Sequence, residues 1–377
     1  MVADPIAIFF ILATVVFTGI WLEKNNKSFK KLGAGAIVIL LGMLLSNFGF
    51  IPGNSGTYDF LMSTGVSGAI VLILLSVDIR SIRKAGPDML KAFFIGAFGS
   101  AVGSIIMALI LSEAIGEETW KLSGQFTGTY VGGGVNFAAL ARAFDTSSDL
   151  FSAAMAADVI LTAFWLIACL VVPIILGRNG KENTEIKSSD KNTFTLEQSL
   201  YRSEHPIRIL HFAALIALTL GVLWSSQFLA SLFSFLPEVL WLTTIVLLLA
   251  QVPIVKQLSG SAMLGNYLLL LFLASNGAKS IIANIVAVGP EVFYYALGTV
   301  FIHGVIIFGL GSLFRIDLGT LAVASQANIG GSSSAMAMAS ARGYGDRILS
   351  AVAVGLLGYA IGNYLGLAVG QIMHNIL

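Results

Sequence analysis

Apolar residues fall along this chain in blocks of roughly 20, the length of helix needed to cross a hydrocarbon core of about 30 Å. In the first half the blocks lie near 5–22, 34–52, 64–79, 90–112, 121–141 and 150–177; in the second they lie near 206–224, 235–253, 262–283, 291–313, 318–340 and 348–374. Between the halves, residues 178–205 form one long polar segment, Arg178-Asn179-Gly180-Lys181 through Ser203-Glu204-His205, which reads as a solvated linker. The pattern predicts an all-α polytopic membrane protein built as two halves of six apolar segments.

The fifth segment of each half departs from the rest. Thr127-Gly128-Thr129-Tyr130-Val131-Gly132-Gly133-Gly134-Val135-Asn136 is dense in glycine and polar residues, and a shift of 198 positions lays Ser325-Gln326-Ala327-Asn328-Ile329-Gly330-Gly331-Ser332-Ser333-Ser334 over it, with Gly132 and Gly133 falling on Gly330 and Gly331. The same shift carries Ser152 onto Ser350 and the run Ala69–Asp78 onto Tyr267–Asn276, while Pro87-Asp88 opens the fourth segment as Pro290-Glu291 opens the tenth. Duplication of one unit accounts for all of these together. Glycine lets backbone leave the helix and so frees amides and carbonyls that a helix would consume. At membrane depth such backbone is tolerated only in a protein interior or beside a watery cavity. Paired breaks in two halves point to a transporter's binding site.

Six full crossings per half would give both halves the same orientation, and the distribution of basic residues decides against it. Lys24, Lys27, Lys30 and Lys31 follow the first segment and Arg80, Arg83, Lys84 and Lys91 flank the loop after the third, which puts those loops in the cytoplasm. The loop from Pro52 to Asp59 lacks Lys and Arg, and the one holding Glu113, Glu117 and Glu118 is acidic, so both lie outside. The linker, with Arg178, Lys181, Lys187, Lys191 and Arg202, becomes cytoplasmic only if the fifth segment enters and returns on one side. The expectation is therefore about ten crossings plus two re-entrant glycine-rich hairpins, with 1–177 as one repeat, 178–205 as a cytoplasmic linker and 206–377 as an inverted second repeat. Lys279 and Arg142, which this places on or near the outer side, fit it least. Twelve crossings with two fully spanning broken helices is the alternative.

Composition narrows the class. Hydrophobic residues make up 56% of the chain and charged residues 11%, against about 25% charged in soluble domains, and the mean hydropathy is +0.88. A net charge of +1 gives no field that would draw nucleic acid. Cys169 is the single cysteine, which excludes an intrachain disulfide. His205, His211, His303 and His374 lack ligand spacing, so no tightly bound metal or other cofactor is expected. The N-terminal Met1-Val2-Ala3-Asp4-Pro5 lacks the basic start of a cleaved signal, and the run after it reads as the first span.

The chemistry concentrates at the two patches. Half-helix N-termini suit a carboxylate, while freed carbonyls and hydroxyls suit a hard cation. Thr129, Asn136, Gln326, Asn328, Ser332, Ser333 and Ser334 add neutral oxygens and amides, framed by Gly132, Gly133, Gly134, Gly330 and Gly331. Close helix packing explains small residues in lipid but not the recurring Asn, Gln and Ser. No Gly-Lys-Ser/Thr follows either patch, which excludes a phosphate loop. Asp158 lies in an otherwise apolar run, and an ionisable group within a span is by default a functional hypothesis: a sodium ligand, a proton carrier, or a partner for Arg142. Asn276 and Ser275 are further candidates for a cation site, with Gln326; Asp78 reads as an interfacial anchor, and Tyr359 and Asn363 are weaker candidates. His303 reads as a proton relay or as a satisfied packing residue.

The paired motifs Gly128–Asn136 and Gln326–Ser334 resemble those of the YjcL-like bacterial membrane proteins, a family similar in architecture to the cation/proton antiporter and anion transporter superfamily, with its sodium/glutamate and 2-hydroxycarboxylate symporters. The resemblance implies an elevator, in which a core domain carrying both breaks moves against a scaffold, typically in a homodimer of the bacterial cytoplasmic membrane. It also implies Asn136, Asn328 and Ser332–Ser334 as substrate ligands; a histidine beside the first glycine pair of the glutamate symporters is missing, so substrate identity does not transfer. Together these readings predict a secondary transporter for a small organic anion or zwitterion coupled to sodium or protons. Hydroxyl and amide oxygens bind a hard cation but carry no proton, which favours sodium. A monovalent cation/proton antiporter centred on Asp158 is the rival. Membrane proteases are disfavoured, since His-Glu-x-x-His does not occur.

Overall fold

The computed structural model describes residues 4–77, 85–176, 208–233, 236–280 and 282–377. The expected linker at 178–205 and the candidate anchor Asp78 lie outside them. Every element among the described residues is helical. The helices start where the sequence supplies caps. Asp4 accepts from the Ala7 amide at 2.9 Å before Pro5 opens α1 (Pro5–Asn25). Ser55 accepts from Thr57 at 3.2 Å before α3 (Gly56–Phe60), which runs through a π turn at Leu61–Gly65 into α4 (Val66–Leu74). The others are α2 (Lys27–Asn47), α5 (Pro87–Ile115), α6 (Thr119–Gly132), α7 (Gly134–Ala143), α8 (Ser148–Leu176), α9 (Ile209–Leu232), α10 (Glu238–Leu249), α11 (Pro253–Lys256), α12 (Ser261–Lys279), α13 (Ile282–Leu313), α14 (Leu318–Ala341) and α15 (Ile348–His374).

Eight of these helical stretches are long and apolar enough to cross a membrane, and Gly33–Asn47 and Glu238–Leu249 are apolar but shorter. The short pair spans about 22 Å and about 18 Å at 1.5 Å per residue. In α2 the backbone leaves the helix at Gly33 (φ 76°, ψ 152°); α10 stops four residues ahead of Pro253. The third segment also sits differently from the apolar run at 64–79, beginning at Gly56 and ending at Leu74. Bulky apolar side chains such as Phe10, Phe17, Ile110, Phe164, Trp224 and Phe301 face outward, as a lipid environment requires.

Both glycine-rich segments reverse direction. Along α6 and α7 a Cβ at Gly124 would meet the Phe144 ring, and one at Gly128 would meet Leu140 and Asn136, so positions equally far from Gly134 face each other. The two ends are tied together: Glu118 accepts from the Ser147 hydroxyl at 2.6 Å and its amide at 3.2 Å, Gln125 donates to Thr146 at 2.6 Å, and Lys121 donates to the Asp145 carbonyl at 2.7 Å. In α14 the break is Gly331 (φ 76°, ψ −174°). Unbroken, α14 would hold its ends about 36 Å apart, yet Asp317 pairs with Arg347 at 3.0 Å and a Cβ at Gly319 would stand 3.0 Å from the Tyr344 ring.

Packing divides the helices into two sets. One comprises α5–α8 and α13–α15, with α5 on α13, α6 on α15, and α14 against α5, α8 and α15; the other comprises α1–α4, α9, α10 and α12, with α12 against α2 and α4. Few contacts cross between them, chiefly α2 and α12 on α8, α4 and α10 on α7, and α10 on α15.

Candidate functional site

The hairpin tips converge. Gly133 (φ 79°, ψ −179°) and Gly331 (φ 76°, ψ −174°) share one backbone conformation, essentially restricted to glycine. An ideal Cβ on Gly133 would stand 4.0 Å from the Gly331 Cα and 3.4 Å from Tyr359, and one on Gly331 would stand 3.6 Å from the Tyr359 hydroxyl oxygen. The two breaks therefore meet with the α15 side chain Tyr359 beside both. Gly134, just past the first break, is exposed, with no atom within 4 Å of where its Cβ would stand.

Glycines also bring α15 against the first hairpin. A Cβ on Gly124, Gly128 or Gly132 would run toward the backbone of Gly366, Gly362 or Gly358 respectively, an antiparallel approach at every fourth residue that only small residues permit. Gly132 thus faces α15, and the packing reading and the break reading hold at adjacent residues.

Several predicted site residues gather here. Thr129 accepts the Gly133 amide on its carbonyl at 2.6 Å, and its hydroxyl is buried without a partner. Asn136 donates to the Gly358 carbonyl at 3.1 Å, leaving its buried Oδ1 without a donor. Gln326 is fully buried, neither end of its amide is bonded, and it crowds the space a Cβ on Gly330 would fill. Ser334 donates to the Gly331 carbonyl at 3.1 Å, and Ser332 is buried against Gly355. The Ser333 side chain lies outside the described residues. Buried polar atoms are almost always paired, so the open valences of Thr129, Asn136 and Gln326 beside two helix N-termini are the chemistry of a polar recognition site.

Other candidates lie elsewhere. Asn328 turns to α5, its amide nitrogen oriented to donate to the Ala324 and Phe93 carbonyls at 3.1 and 3.3 Å. Ser275 donates to the Phe272 carbonyl at 2.8 Å, and Asn276 joins a cluster with Ser152 (2.9 Å) and Ser280 at the start of α8. Asp158 is six residues further along α8, about 9 Å of rise on another face, so these residues do not share one ion site. Asp158 is buried beside Tyr130 and Thr162, and its Oδ1 and both of those hydroxyls lack a hydrogen-bond partner; Tyr130 sits three residues before the first break. Arg142 pairs with Glu238 instead. Asn363 donates to Thr243 at 3.0 Å, crossing between the helix sets.

His303 is buried with both ring nitrogens bonded. Ser100 donates to the Tyr130 carbonyl at 2.6 Å, so its oxygen can only accept from His303 Nδ1 at 2.9 Å, which also faces the Gly96 carbonyl at 2.9 Å. Ser325 accepts from the Trp165 indole at 2.9 Å and has its own proton left for His303 Nε2 at 2.9 Å. That assigns a neutral ring protonated at Nδ1. Through it the first hairpin at Tyr130 is linked to the second at Ser325. Sequence reading missed Tyr130, Ser100 and Ser325, whose roles depend on which helices touch.

The two basic residues that fitted the topology least both line one cavity of about 500 Å³, and each is matched there: Lys279 with Asp59 at 3.0 Å and Arg142 with Glu238 at 3.5 Å. Asn276 lines it too.

Comparison with known sequences agrees with a membrane role and stops short of an activity. A protein-family profile described as "Protein of unknown function (DUF819)" matches residues 8–376. The chain is also 30% identical over 357 residues to the uncharacterized membrane protein YjcL of Bacillus subtilis strain 168, covering 90% of this chain and 89% of that one.

Proposed function

The chain belongs to the DUF819 family of multi-pass membrane proteins, and from that premise we propose that it is a secondary active transporter, moving a small organic anion or zwitterion coupled to sodium or protons. The observation that carries the reading is the meeting of two glycine-broken hairpins tip to tip beside unbonded buried polar groups. Two helix N-termini at such a point favour negative charge on a solute, and the unpaired oxygens of Thr129 and Asn136 favour a cation or a donor.

Inverted repeats within 1–177 and 206–377 are supported by the helix bounds. The 198-residue shift that lays Gly133 on Gly331 also brings α5 (Pro87–Ile115) onto α13 (Ile282–Leu313) and α8 (Ser148–Leu176) onto α15 (Ile348–His374). Hairpins whose ends are tied on one side support the re-entrant reading and a cytoplasmic linker. An elevator is supported by the two packing sets: the one holding both hairpins would be the moving core, the other the scaffold, working in a homodimer as the resemblance implies. Asp158, buried against Tyr130 next to the first break, is assigned to ion coupling. The same carboxylate is the basis of the rival, a monovalent cation/proton antiporter.

Uptake of radiolabelled amino acids and carboxylates into proteoliposomes, with and without an inward sodium gradient, separates the two. Sodium-driven accumulation of an organic solute is expected. Cation/proton exchange with no organic uptake would establish the rival.

A further inference from the structure

The 500 Å³ cavity lies on the seam between the two helix sets, away from the hairpin tips, and falls in the size range of small-molecule sites. The end of α7 and the turn after it, the starts of α8 and α10, the last turns of α12, and Asp59, Met62 and Ser63 of the third segment enclose it. Five charged residues line it: Asp59, Arg142, Asp145, Glu238 and Lys279. Three acids against two bases leave the lining net negative, which disfavours a dicarboxylate.

The two ion pairs differ. Lys279 and Asp59 close at 3.0 Å. Arg142 Nη2 and Glu238 Oε2 stand 3.5 Å apart, beyond the 2.7–2.9 Å or so of a charge-assisted bond. Glu238 Oε1 is buried with no donor at all, a costly state for a carboxylate oxygen, while the Arg142 fork keeps N–H groups to spare. One cation with open donors thus sits beside one anion with an open acceptor.

We propose that this half-made pair recognises the head group of a free α-amino acid, the carboxylate on Arg142 and the ammonium on Glu238 Oε1, with the Asp145 carboxylate adding to the pull on the ammonium. Opposite charges on a single carbon match a cation and an anion this close together; a peptide separates its charges too far to reach both. The site is an entrance. Arg142 ends the returning arm of the first hairpin, about 12 Å along α7 from Gly134, and the pair joins a helix of one set to a helix of the other. The inference rests on the transporter reading and names its solute class.

Binding to the purified full-length protein in detergent tests it without requiring transport. The probes are an equimolar mixture of the common L-α-amino acids, the same amino acids N-acetylated, the same amino acids as C-terminal amides, and succinate, with thermal stabilisation as the readout and calorimetric titration for affinity. Stabilisation by the free amino acids alone is expected, with the affinity roughly tenfold or more weaker in Glu238→Gln and Arg142→Gln. Binding of succinate but not amino acids, or equal binding of either blocked series, overturns the proposal; those comparisons use wild-type protein and hold even if the variants fold poorly. Well-folded variants that bind as tightly as wild type overturn it as well. A protein that binds amino acids but accumulates none in liposomes sinks the transporter reading and leaves the site, whereas one that accumulates a dicarboxylate sinks the site alone.

Discussion

Two adjacent alanine substitutions should have opposite effects on stability. Gly133 holds φ 79° and ψ −179°, a region costing an L-residue about 1–3 kcal/mol. A Cβ there meets nothing closer than 3.4 Å, so the penalty of Gly133→Ala is backbone strain and not collision. Gly134 is already helical and a Cβ there meets no atom within 4 Å, so Gly134→Ala gains about 0.5–1 kcal/mol. The two variants should differ by about 2–4 kcal/mol, or about 4–8 °C at roughly 2 °C per kcal/mol. A thiol-reactive dye gives the assay, because Cys169 is the single cysteine and is buried until the protein unfolds. Gly331→Ala should behave as Gly133→Ala, and because the tips touch, the double variant should depart from additivity. A Gly133→Ala protein melting with or above Gly134→Ala would show that the tip does not hold this conformation. Gly134→Ala should still weaken solute affinity, its methyl standing in the open space before the tip.

Asp158→Asn should abolish ion-coupled uptake while leaving a folded protein; unchanged cation dependence would remove Asp158 from the coupling step. Glu118→Gln should loosen the hairpin base by about 1–3 kcal/mol at neutral pH. Burial raises the Glu118 pKa, but hydrogen bonds from Lys121 and Ser147 and the Lys121 charge outweigh it and hold the value below the ordinary 4.5. That stability is complete above pH 4.5 and is lost as pH falls through the lowered value, so the melting gap between wild type and variant should stay level near neutrality and close in acid; a gap that widened in acid would contradict this. His303→Gln should lower the melting temperature and leave the pH profile of uptake unchanged, since the ring is neutral and fully bonded; a displaced profile would make it a proton carrier. Cysteines introduced at 178–205 should resist impermeant reagents in intact cells, and ready labelling would overturn the topology.

The two breaks were legible because glycine marks both the departure from helix and the offset between halves: Gly133 and Gly331 could be named before any helix was placed. The reversal at each break followed indirectly from where Lys and Arg fall along the chain, and Lys279 and Arg142, the residues that weakened that argument, each sit against a carboxylate supplied by another segment. What sequence could not give is which face a polar residue presents. Asn328 aligns with the first-hairpin motif yet turns onto α5, and Asn276 reaches α8 at Ser152, six residues short of Asp158. Gly358, Gly362, Gly366 and Gly370 recur every four residues, a spacing that signals close packing but names no partner. The His303 connection needed four helices in contact before it existed.

The glycine seam between α6 and α15 has one more implication. Where Gly124, Gly128 and Gly132 abut Gly366, Gly362 and Gly358, the side chains wedged against both rows are Asn136, Leu140 and Phe144 of the returning arm, so each of the three touches both helices at once. The returning arm is thereby keyed into the groove between α6 and α15, and a displacement of the first tip should carry α15 with it instead of bending the hairpin alone.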